Sequence, residues 1–167
     1  MFALSNTTLP FNIMHPSIRI ERTNSNSPDF VFLTQQLDKE LKLIYGESQE
    51  EFDQYNVINN LPTVVVAYIN DQPVGCGCFK PFDKKSVEVK RMYVDPTIRG
   101  KGVGAMILTE LENWAKDLNF TSVILETGTE QPDAVRLYEK MGFEVIPNFE
   151  PYVGNDLSIC FAKLFRK

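Results

Sequence analysis

A glycine-rich segment lies in the middle of the chain, between a predicted strand and a predicted helix. Residues 99–104 have the sequence RGKGVG, the strand is predicted over residues 86–94, and Val103 begins a stripe of apolar residues at helical spacing. The first turn of a helix has backbone N–H groups without an intrahelical partner and the positive end of the helix dipole. Glycines let a phosphate approach those groups without a Cβ in the way. The segment therefore predicts a phosphate-binding turn, to which Arg99 and Lys101 add positive charge.

Three other interpretations of this segment are less favoured. A plain glycine-rich turn would not need a strand, a helix and basic residues together. A Walker loop needs G-x-x-x-x-G-K-[ST], which the chain lacks. A dinucleotide fingerprint is met by Gly100, Gly102 and Ala105, with Glu126 at about the expected distance. However, residues 95–99 make the link between strand and helix too long for the tight turn of that fold.

The order of the predicted elements indicates an α/β (α+β) fold, a mixed, mostly antiparallel twisted sheet with helices on both faces. We expect an N-terminal extension over residues 1–16 and one domain over residues 17–167. Within that domain, we predict strands over residues 17–22, 63–69, 74–80, 86–94, 121–126, 143–146 and 157–165. We predict helices over residues 29–45, 48–55, 103–118 and 132–141.

Composition limits the classes of partner. A net charge of -5 and a pI near 5.0 argue against nucleic acid, which needs a basic face, and would suit a cationic substrate. No apolar run is long enough to span a bilayer, and residues 1–16 lack the Lys or Arg of a signal peptide, so no membrane partner is expected. Cysteine usage is typical of a reduced, cytoplasmic protein. We expect Cys76 and Cys78, on one face of a strand, to be buried thiols rather than metal ligands.

Two spaced motifs carry a family resemblance. Residues 89–104, VKRMYVDPTIRGKGVG, resemble motif A of the GNAT superfamily of N-acetyltransferases, whose core is [QR]-x-x-G-x-[GA]. Arg99, Gly102 and Gly104 occupy that core. Residues 134–143, AVRLYEKMGF, resemble the later A-x-x-L-Y-x-x-x-G-F element of the family. The resemblance covers roughly residues 63–165 and implies a GNAT-like acyl-CoA N-acyltransferase fold.

The resemblance implies acetyl-CoA as cosubstrate and no metal, with its pyrophosphate on the N–H groups of the glycine-rich loop. It also implies that the strand before the loop holds the pantetheine arm through its backbone and splays from its neighbour at a bulge. Gln131 falls where many members have an Asn that touches the cofactor. The cofactor-binding residues expected from the resemblance are Met92, Tyr93, Val94, Arg99, Gly100, Lys101, Gly102, Val103, Gly104, Ala105 and Gln131.

Acetyl transfer to an amine needs a group that takes a proton from the amine and one that protonates or stabilises the departing thiolate. Glu88 matches the position at which histone-acetylating members place a general base, and Tyr138 the position at which many members have a tyrosine acid. Strict alternation along the strand would put Glu88 on one face with Lys90, Met92 and Val94. Glu88 could equally be a solvated strand residue paired with a lysine, and Tyr138 a packing residue.

The expected activity is transfer of an acetyl group from acetyl-CoA to a primary amine of a small molecule or peptide, by direct attack in a ternary complex. A non-catalytic acetyl-CoA-binding or sensor module is the alternative, and a homodimer is left open. Carboxylates and aromatic rings of the first helices and the last loop could hold a cationic acceptor. The candidates are Tyr45, Glu47, Glu50, Glu51, Asp53, Phe149, Tyr152 and Asp156.

Overall fold

The computed structural model describes residues 17–49 and 54–166. Its strands are β1 (Ile18–Thr23), β2 (Val64–Ile69), β3 (Gln72–Pro81), β4 (Ser86–Val94), β5 (Ser122–Gly128), β6 (Glu144–Ile146) and β7 (Ser158–Leu164). Its helices are α1 (Pro28–Tyr45), α2 (Val103–Asp117) and α3 (Pro132–Lys140), with 3-10 turns at Gly46–Ser48 and Pro96–Ile98. The helix predicted over residues 48–55 lies partly outside the described residues, and Tyr55 belongs to a turn rather than to a helix. No helix in the described part of the chain is long and apolar enough to cross a membrane.

The strands form one sheet in the order β1-β2-β3-β4-β5-β7-β6. Every neighbouring pair is antiparallel except β4 and β5, which run parallel. A parallel pair needs a crossover connection, and α2 lies in the chain between these two strands. The prediction of a mixed, mostly antiparallel sheet is therefore confirmed.

Helices cover both faces of the sheet, as predicted. On one face α1 packs Phe30, Leu33 and Leu37 against apolar residues of β2 and β3, including the buried Cys76 and Cys78. On the other face α2 buries a stripe of residues that step along the helix and α3 adds Tyr138. The buried residues of the α2 stripe are Val103, Ile107, Leu108, Leu111 and Ala115.

Strand β4 departs from regular pairing on both of its sides. Towards β3, Cys78 pairs with Lys90 and Cys76 with Tyr93, so the single residue Gly77 faces two residues of β4. This is a β-bulge, which needs an unusual backbone conformation, and Arg91 has a φ of 58°. Gly77 permits the close approach, because a Cβ there would lie 2.5 Å from Met92 Sδ. The splay at a bulge that the family resemblance implies is present.

Towards β5, the parallel pairing runs only from Ser86 with Ser122 to Val89 with Leu125. No residue of the β4 segment 90–94 pairs with a residue of the β5 segment 126–128, so the two strands diverge. The parallel pair therefore opens a gap in the middle of the sheet at the level of the bulge.

The bulge overturns the prediction that Glu88 shares a face with Met92 and Val94. Val89 before the bulge and Met92 and Val94 after it all belong to the core under α2, whereas Tyr93 packs on the α1 face. The extra residue reverses the alternation of side chains. Glu88 therefore lies on the opposite face from Met92 and Val94, because strict alternation fails at Arg91.

Candidate functional site

The glycine-rich loop adopts the conformation that an anion site needs. Gly100 and Gly102 have φ values of 81° and 82°, and a Cβ at either position would meet no atom within 4 Å. Helix α2 begins at Val103, and Met106 N donates to Gly102 O at 3.0 Å. The backbone N–H groups of the first helical turn therefore have no intrahelical partner and are available to an anion.

Gly104 is needed for close packing between helices rather than for an unusual backbone conformation. A Cβ at this position would lie 3.1 Å from Leu137 Cδ2, so the glycine lets α2 and α3 approach closely. The spacing of the glycines thus combines two physical requirements: an open left-handed turn at Gly100 and Gly102, and a close helix contact at Gly104.

A cleft of about 630 Å³ lies beside this loop, between the diverging end of β4, the start of α2 and helix α3. All the predicted cofactor-binding residues line it except Lys101, which is exposed outside the lining. The predicted cofactor-binding residues that line the cleft are Met92, Tyr93, Val94, Arg99, Gly100, Gly102, Val103, Gly104, Ala105 and Gln131. The structure therefore brings residues from separate parts of the chain to one cleft.

Arg99 makes fixed contacts at the mouth of this cleft. Its Nε donates to Val94 O at 2.9 Å, and its Nη2 donates to both carboxylate oxygens of Glu40 on α1, at 2.9 and 2.7 Å. The guanidinium carbon lies 5.8 Å from the centre of the Tyr93 ring. A second arginine, Arg91, donates from Nη2 to Thr34 O and Asp38 Oδ1, at 3.0 and 2.7 Å. Both arginines therefore tie α1 to β4 and its loop.

An inner pocket of about 100 Å³ adjoins the cleft where β4 and β5 diverge. It is lined by Lys90, Arg91, Glu126 and Thr127 among other residues, and by Tyr45 from the end of α1. The residues common to both cavities are Leu37, Met92, Gln131, Ala134 and Tyr138. A molecule in the cleft and a molecule in the pocket would therefore meet at these shared residues.

Tyr138 lies at the junction of the two cavities. Its side chain is 4% exposed, and its ring packs 5.8 Å from the ring centres of both Phe143 and Phe161. Burial raises the pKa of the Tyr138 phenol well above its usual value, with a smaller contribution from Glu126. The phenol is therefore protonated at neutral pH and can donate a proton.

Glu88 does not line either cavity. It is 5% exposed, and its Oε1 accepts from Lys90 Nζ at 3.1 Å while its Oε2 lies 3.6 Å from Lys80 Nζ. Lys90 Nζ also donates to the Tyr152 hydroxyl at 2.9 Å. Glu88 thus belongs to a buried ion pair beside the inner pocket rather than to the pocket wall.

Among the described residues, Glu126 is the carboxylate that lines the inner pocket, and it was not among the catalytic residues predicted from the sequence. It lies on β5 directly after the last residue paired with β4, and its Oε1 accepts from Ser158 Oγ at 2.8 Å. Burial raises the pKa of Glu126, opposed by the Ser158 hydrogen bond and by the charge of Lys90. A carboxylate ending the apolar run of residues 123–125 is the signal that could have identified it.

Gln131 is the N-cap residue of α3 and lines both cavities, but its side-chain oxygen is engaged within the protein. Oε1 of Gln131 accepts from Gly128 N at 3.1 Å. Tyr45 reaches the same turn, where its hydroxyl accepts from Glu130 N at 3.2 Å. These contacts place the end of α1 over the inner pocket.

The other predicted acceptor residues separate into groups. Tyr152 is buried, with its ring 5.5 Å from that of Phe149, whereas Asp156 is exposed. The Glu47 side chain and residues Glu50, Glu51 and Asp53 lie outside the described part of the structure.

The three cysteines are buried free thiols, as predicted for Cys76 and Cys78. Burial raises the pKa of Cys78 to about 12 and raises the pKa values of Cys76 and Cys160 as well. Thiols held in the neutral form are poor nucleophiles.

Comparison with known proteins identifies relatives over most of the chain. The model of the acetyltransferase (GNAT) family matches residues 30–143. An IAA acetyltransferase from Azospirillum brasilense is 32% identical over 150 residues, covering 89% of this chain and 98% of the relative. An uncharacterised N-acetyltransferase from Schizosaccharomyces pombe is 34% identical over 85 residues, which is 50% of each chain.

Solved structures have the same fold. A protein from Klebsiella pneumoniae assigned as an acyl-CoA N-acyltransferase has a TM-score of 0.71 and 27% identity, covering 90% of this chain and 97% of that one. A protein from Bacillus anthracis assigned as a streptothricin acetyltransferase, in complex with acetyl coenzyme A, has a TM-score of 0.56 and 26% identity, covering 64% and 65%. A GNAT family acetyltransferase from Elizabethkingia anophelis with acetyl-CoA bound has a TM-score of 0.62 at 23% identity, covering 89% and 98%.

Proposed function

The chain belongs to the acetyltransferase (GNAT) family and is an acyltransferase, and from this premise we propose that it transfers an acetyl group from acetyl-CoA to a primary amine. The observation that carries the proposal is the junction of two cavities at the divergence of β4 and β5. One cavity lies at the phosphate loop and the other contains a buried carboxylate, so donor and acceptor would meet beside Tyr138.

The cleft suits acetyl-CoA in its chemistry. The open glycines and the free N–H groups at the start of α2 would hold the pyrophosphate. Residues 92–94 do not pair with β5, so their backbone groups on that side are available to the pantetheine arm, apart from Val94 O, which accepts from Arg99 Nε. The acetyl-CoA complexes of the Bacillus and Elizabethkingia structures support this choice of cosubstrate. Acetyl-CoA supplies a thioester carbonyl that an amine can attack.

We propose that Glu126 takes the proton from the acceptor ammonium. It lines the inner pocket, and a carboxylate of raised pKa is a better base near neutral pH than an exposed one. The freed amine nitrogen then forms a bond to the acetyl carbonyl carbon as the carbon–sulfur bond breaks. Tyr138, protonated and shared by both cavities, gives its proton to the departing sulfur. The second proton that the nitrogen loses on becoming an amide restores the Tyr138 phenol, and Glu126 releases its proton to solvent.

For Glu88 the geometry favours a positioning role over the role of base. Both of its oxygens face lysines, and neither cavity includes it in its wall. Glu88 holds Lys90, and Lys90 in turn donates to Tyr152 and lines the inner pocket. Its charge therefore acts on the acceptor site through Lys90.

The state of the cysteines supports direct attack in a ternary complex. An acyl-enzyme would need a thiolate at the junction, but the three thiols are buried with raised pKa values, and none of them lines either cavity. Acetylation of Cys76, Cys78 or Cys160 during turnover would contradict this mechanism.

The experiment that tests the proposal is release of free thiol from acetyl-CoA in the presence of a panel of acceptors. The panel should contain small aliphatic and aromatic amines, polyamines, aminoglycosides and peptides, with IAA added because of the name of the Azospirillum relative. We expect amine-dependent release that Glu126→Gln and Tyr138→Phe each reduce while CoA binding is retained. Binding of acetyl-CoA without release on any acceptor would instead identify a non-catalytic binding module.

A further inference from the structure

The cleft assigned to CoA contains a carboxylate that faces its anionic end. Glu40 of α1 lines this cleft together with Arg99 of the phosphate loop, and the two side chains are paired. They are partly exposed, at 26% for Glu40 and 34% for Arg99. Repulsion between a carboxylate and a phosphate weakens binding, so the presence of Glu40 in this wall calls for a physical account.

The charged side chains of the lining have no net charge. Basic side chains in a phosphate site normally exceed acidic ones, because each neutralises part of the ligand. Here the acidic residues of the lining are matched in number by the basic ones. They are Glu40, Glu130 and Asp133 against Arg99, Arg136 and Lys140.

Two of these cations are already paired within the protein. Arg136 pairs with Asp133 one turn away on α3, where both side chains are largely exposed, and such pairs are weak and easily exchanged. Arg99 is held more firmly, because its Nη2 contacts both oxygens of Glu40 while its Nε donates to Val94 O. Phosphate must therefore compete with Glu40 for the Nη2 of Arg99.

The bond to Val94 O decides what happens when the Glu40 charge is removed. It anchors the guanidinium at the end of β4 independently of α1, and Tyr93 lies 5.8 Å from the guanidinium carbon on the same side. An Arg99 without Glu40 would therefore keep its place at the loop and have a free Nη2. Its full charge would then act on the phosphates of CoA.

We infer that Glu40 is an affinity-setting residue of the CoA cleft, which neutralises Arg99 and so keeps the hold on the phosphates weak enough for the product CoA to leave. The inference rests on the proposed binding of CoA at the loop. Glu40 does not line the inner pocket that contains Glu126, so its effect falls on the affinity for CoA rather than on proton transfer.

The test is calorimetric titration of CoA into the full chain and its Glu40→Gln variant. We expect the variant to bind CoA about five-fold more tightly at low salt, since one repulsive charge is removed and one attractive charge is released. The difference should shrink as salt is raised, because partly exposed charges are screened over about 10 Å at 0.1 M ionic strength. Weaker binding by Glu40→Gln would show that Glu40 only orients Arg99 and would overturn the inference.

Two controls separate an effect through Arg99 from an effect of net charge. Glu130→Gln removes an exposed carboxylate from the same lining, and Glu130 forms no ion pair with Arg99. It should therefore tighten CoA binding less than Glu40→Gln, and an equal effect would contradict the inference. In an Arg99→Gln background, Glu40→Gln should lose most of its effect, and an undiminished effect would contradict it too.

The outcomes for the inference and for the proposed function are distinct. If the unmodified chain does not bind CoA, both fail. If it binds CoA but Glu40→Gln binds with the same affinity, the inference alone fails. In steady-state assays the variant should lower the KM for acetyl-CoA and, where release of CoA limits turnover, lower kcat as well.

Discussion

The two halves of the β4–β5 pair have opposite properties, although they belong to the same two strands. In the paired half, residues 86–89 and 122–125 close the sheet, and Val89 and Leu125 are 3% and 1% exposed. In the diverged half, Lys90 and Glu126 are the next residues along each strand, and both line the inner pocket. The divergence thus places two charged residues in the wall of a cavity, one residue beyond the end of the paired segment.

This contrast shows what the bulge contributes. A regular β4 would continue its ladder with β3 and could stay beside β5, leaving no gap in the sheet. The extra residue at Arg91 turns the strand, and its side chain, 6% exposed, holds α1 through Thr34 and Asp38. The gap in the sheet and the position of α1 over that gap therefore both depend on Arg91.

Substitution of Glu126 should give the largest effect on activity. We expect Glu126→Gln to lower kcat/KM on the order of 10³-fold, since the general base is lost. Because the pKa of Glu126 is raised by burial, the folded state binds its proton more tightly than the unfolded state, and ionisation above the ordinary Glu pKa costs stability. The variant should therefore also melt at a higher temperature at pH 7, as measured by calorimetry.

Glu88 supplies the matched control on the neighbouring strand. Glu88→Gln leaves Lys90 buried without its carboxylate, so its main effect should be a loss of stability of about 3 kcal/mol in denaturant titration. A larger loss of kcat/KM in Glu88→Gln than in Glu126→Gln would reverse the assignment of the two carboxylates.

A substitution at Leu125, one residue before Glu126, tests the paired half of the two strands. We expect Leu125→Ala to lower the free energy of unfolding by about 3 kcal/mol, because it opens a cavity in the core between the sheet and α2. The kcat/KM of the folded fraction should change little, which urea titration and activity assays on the same sample can check. A selective loss of activity at full stability would show that the boundary between the two halves lies elsewhere.

Tyr138 connects the two halves, because its ring packs in the core and its position is shared by both cavities. Tyr138→Phe should lower kcat about 10²-fold with little change in CoA affinity, since only the proton donor is removed. Stopped assays of kcat beside calorimetric CoA titration measure the two quantities separately. Retention of full kcat would reduce Tyr138 to a packing residue.

The smallest effect expected is a shift in the pH profile. The charge of Lys90 lowers the pKa of Glu126, so Lys90→Met should raise it further. The acidic limb of kcat/KM, along which activity falls as Glu126 is protonated, should therefore move to higher pH by up to about one unit. An unmoved limb in Lys90→Met would show that Glu126 is not the group that titrates in that limb.

Local patterns predicted many of the residues that line the cleft. The glycine spacing and the later motif around Tyr138 are short-range signals, and Gly100, Gly102, Gly104 and Tyr138 line the cleft. The apolar stripe that begins at Val103 packs in the core, as its helical spacing predicted. The residues of the inner pocket were harder to predict from the sequence. Glu126 is a single carboxylate at the end of an apolar strand, and its importance depends on where β4 leaves β5, which periodicity within one strand does not encode.

The sequence by itself determined the family, the mixed sheet, the glycine-rich turn before α2 and the buried thiols, because backbone propensity and hydrophobic period act over a few residues. Only the tertiary structure decided the face of Glu88, the pocket position of Glu126 and the pairing of Glu40 with Arg99. The bulge at Arg91 reverses the alternation that sequence periodicity assumes. Asp38 and Arg91 are 53 positions apart in the sequence, and Glu40 and Arg99 are 59 positions apart, so both ion pairs depend on how α1 packs on the sheet.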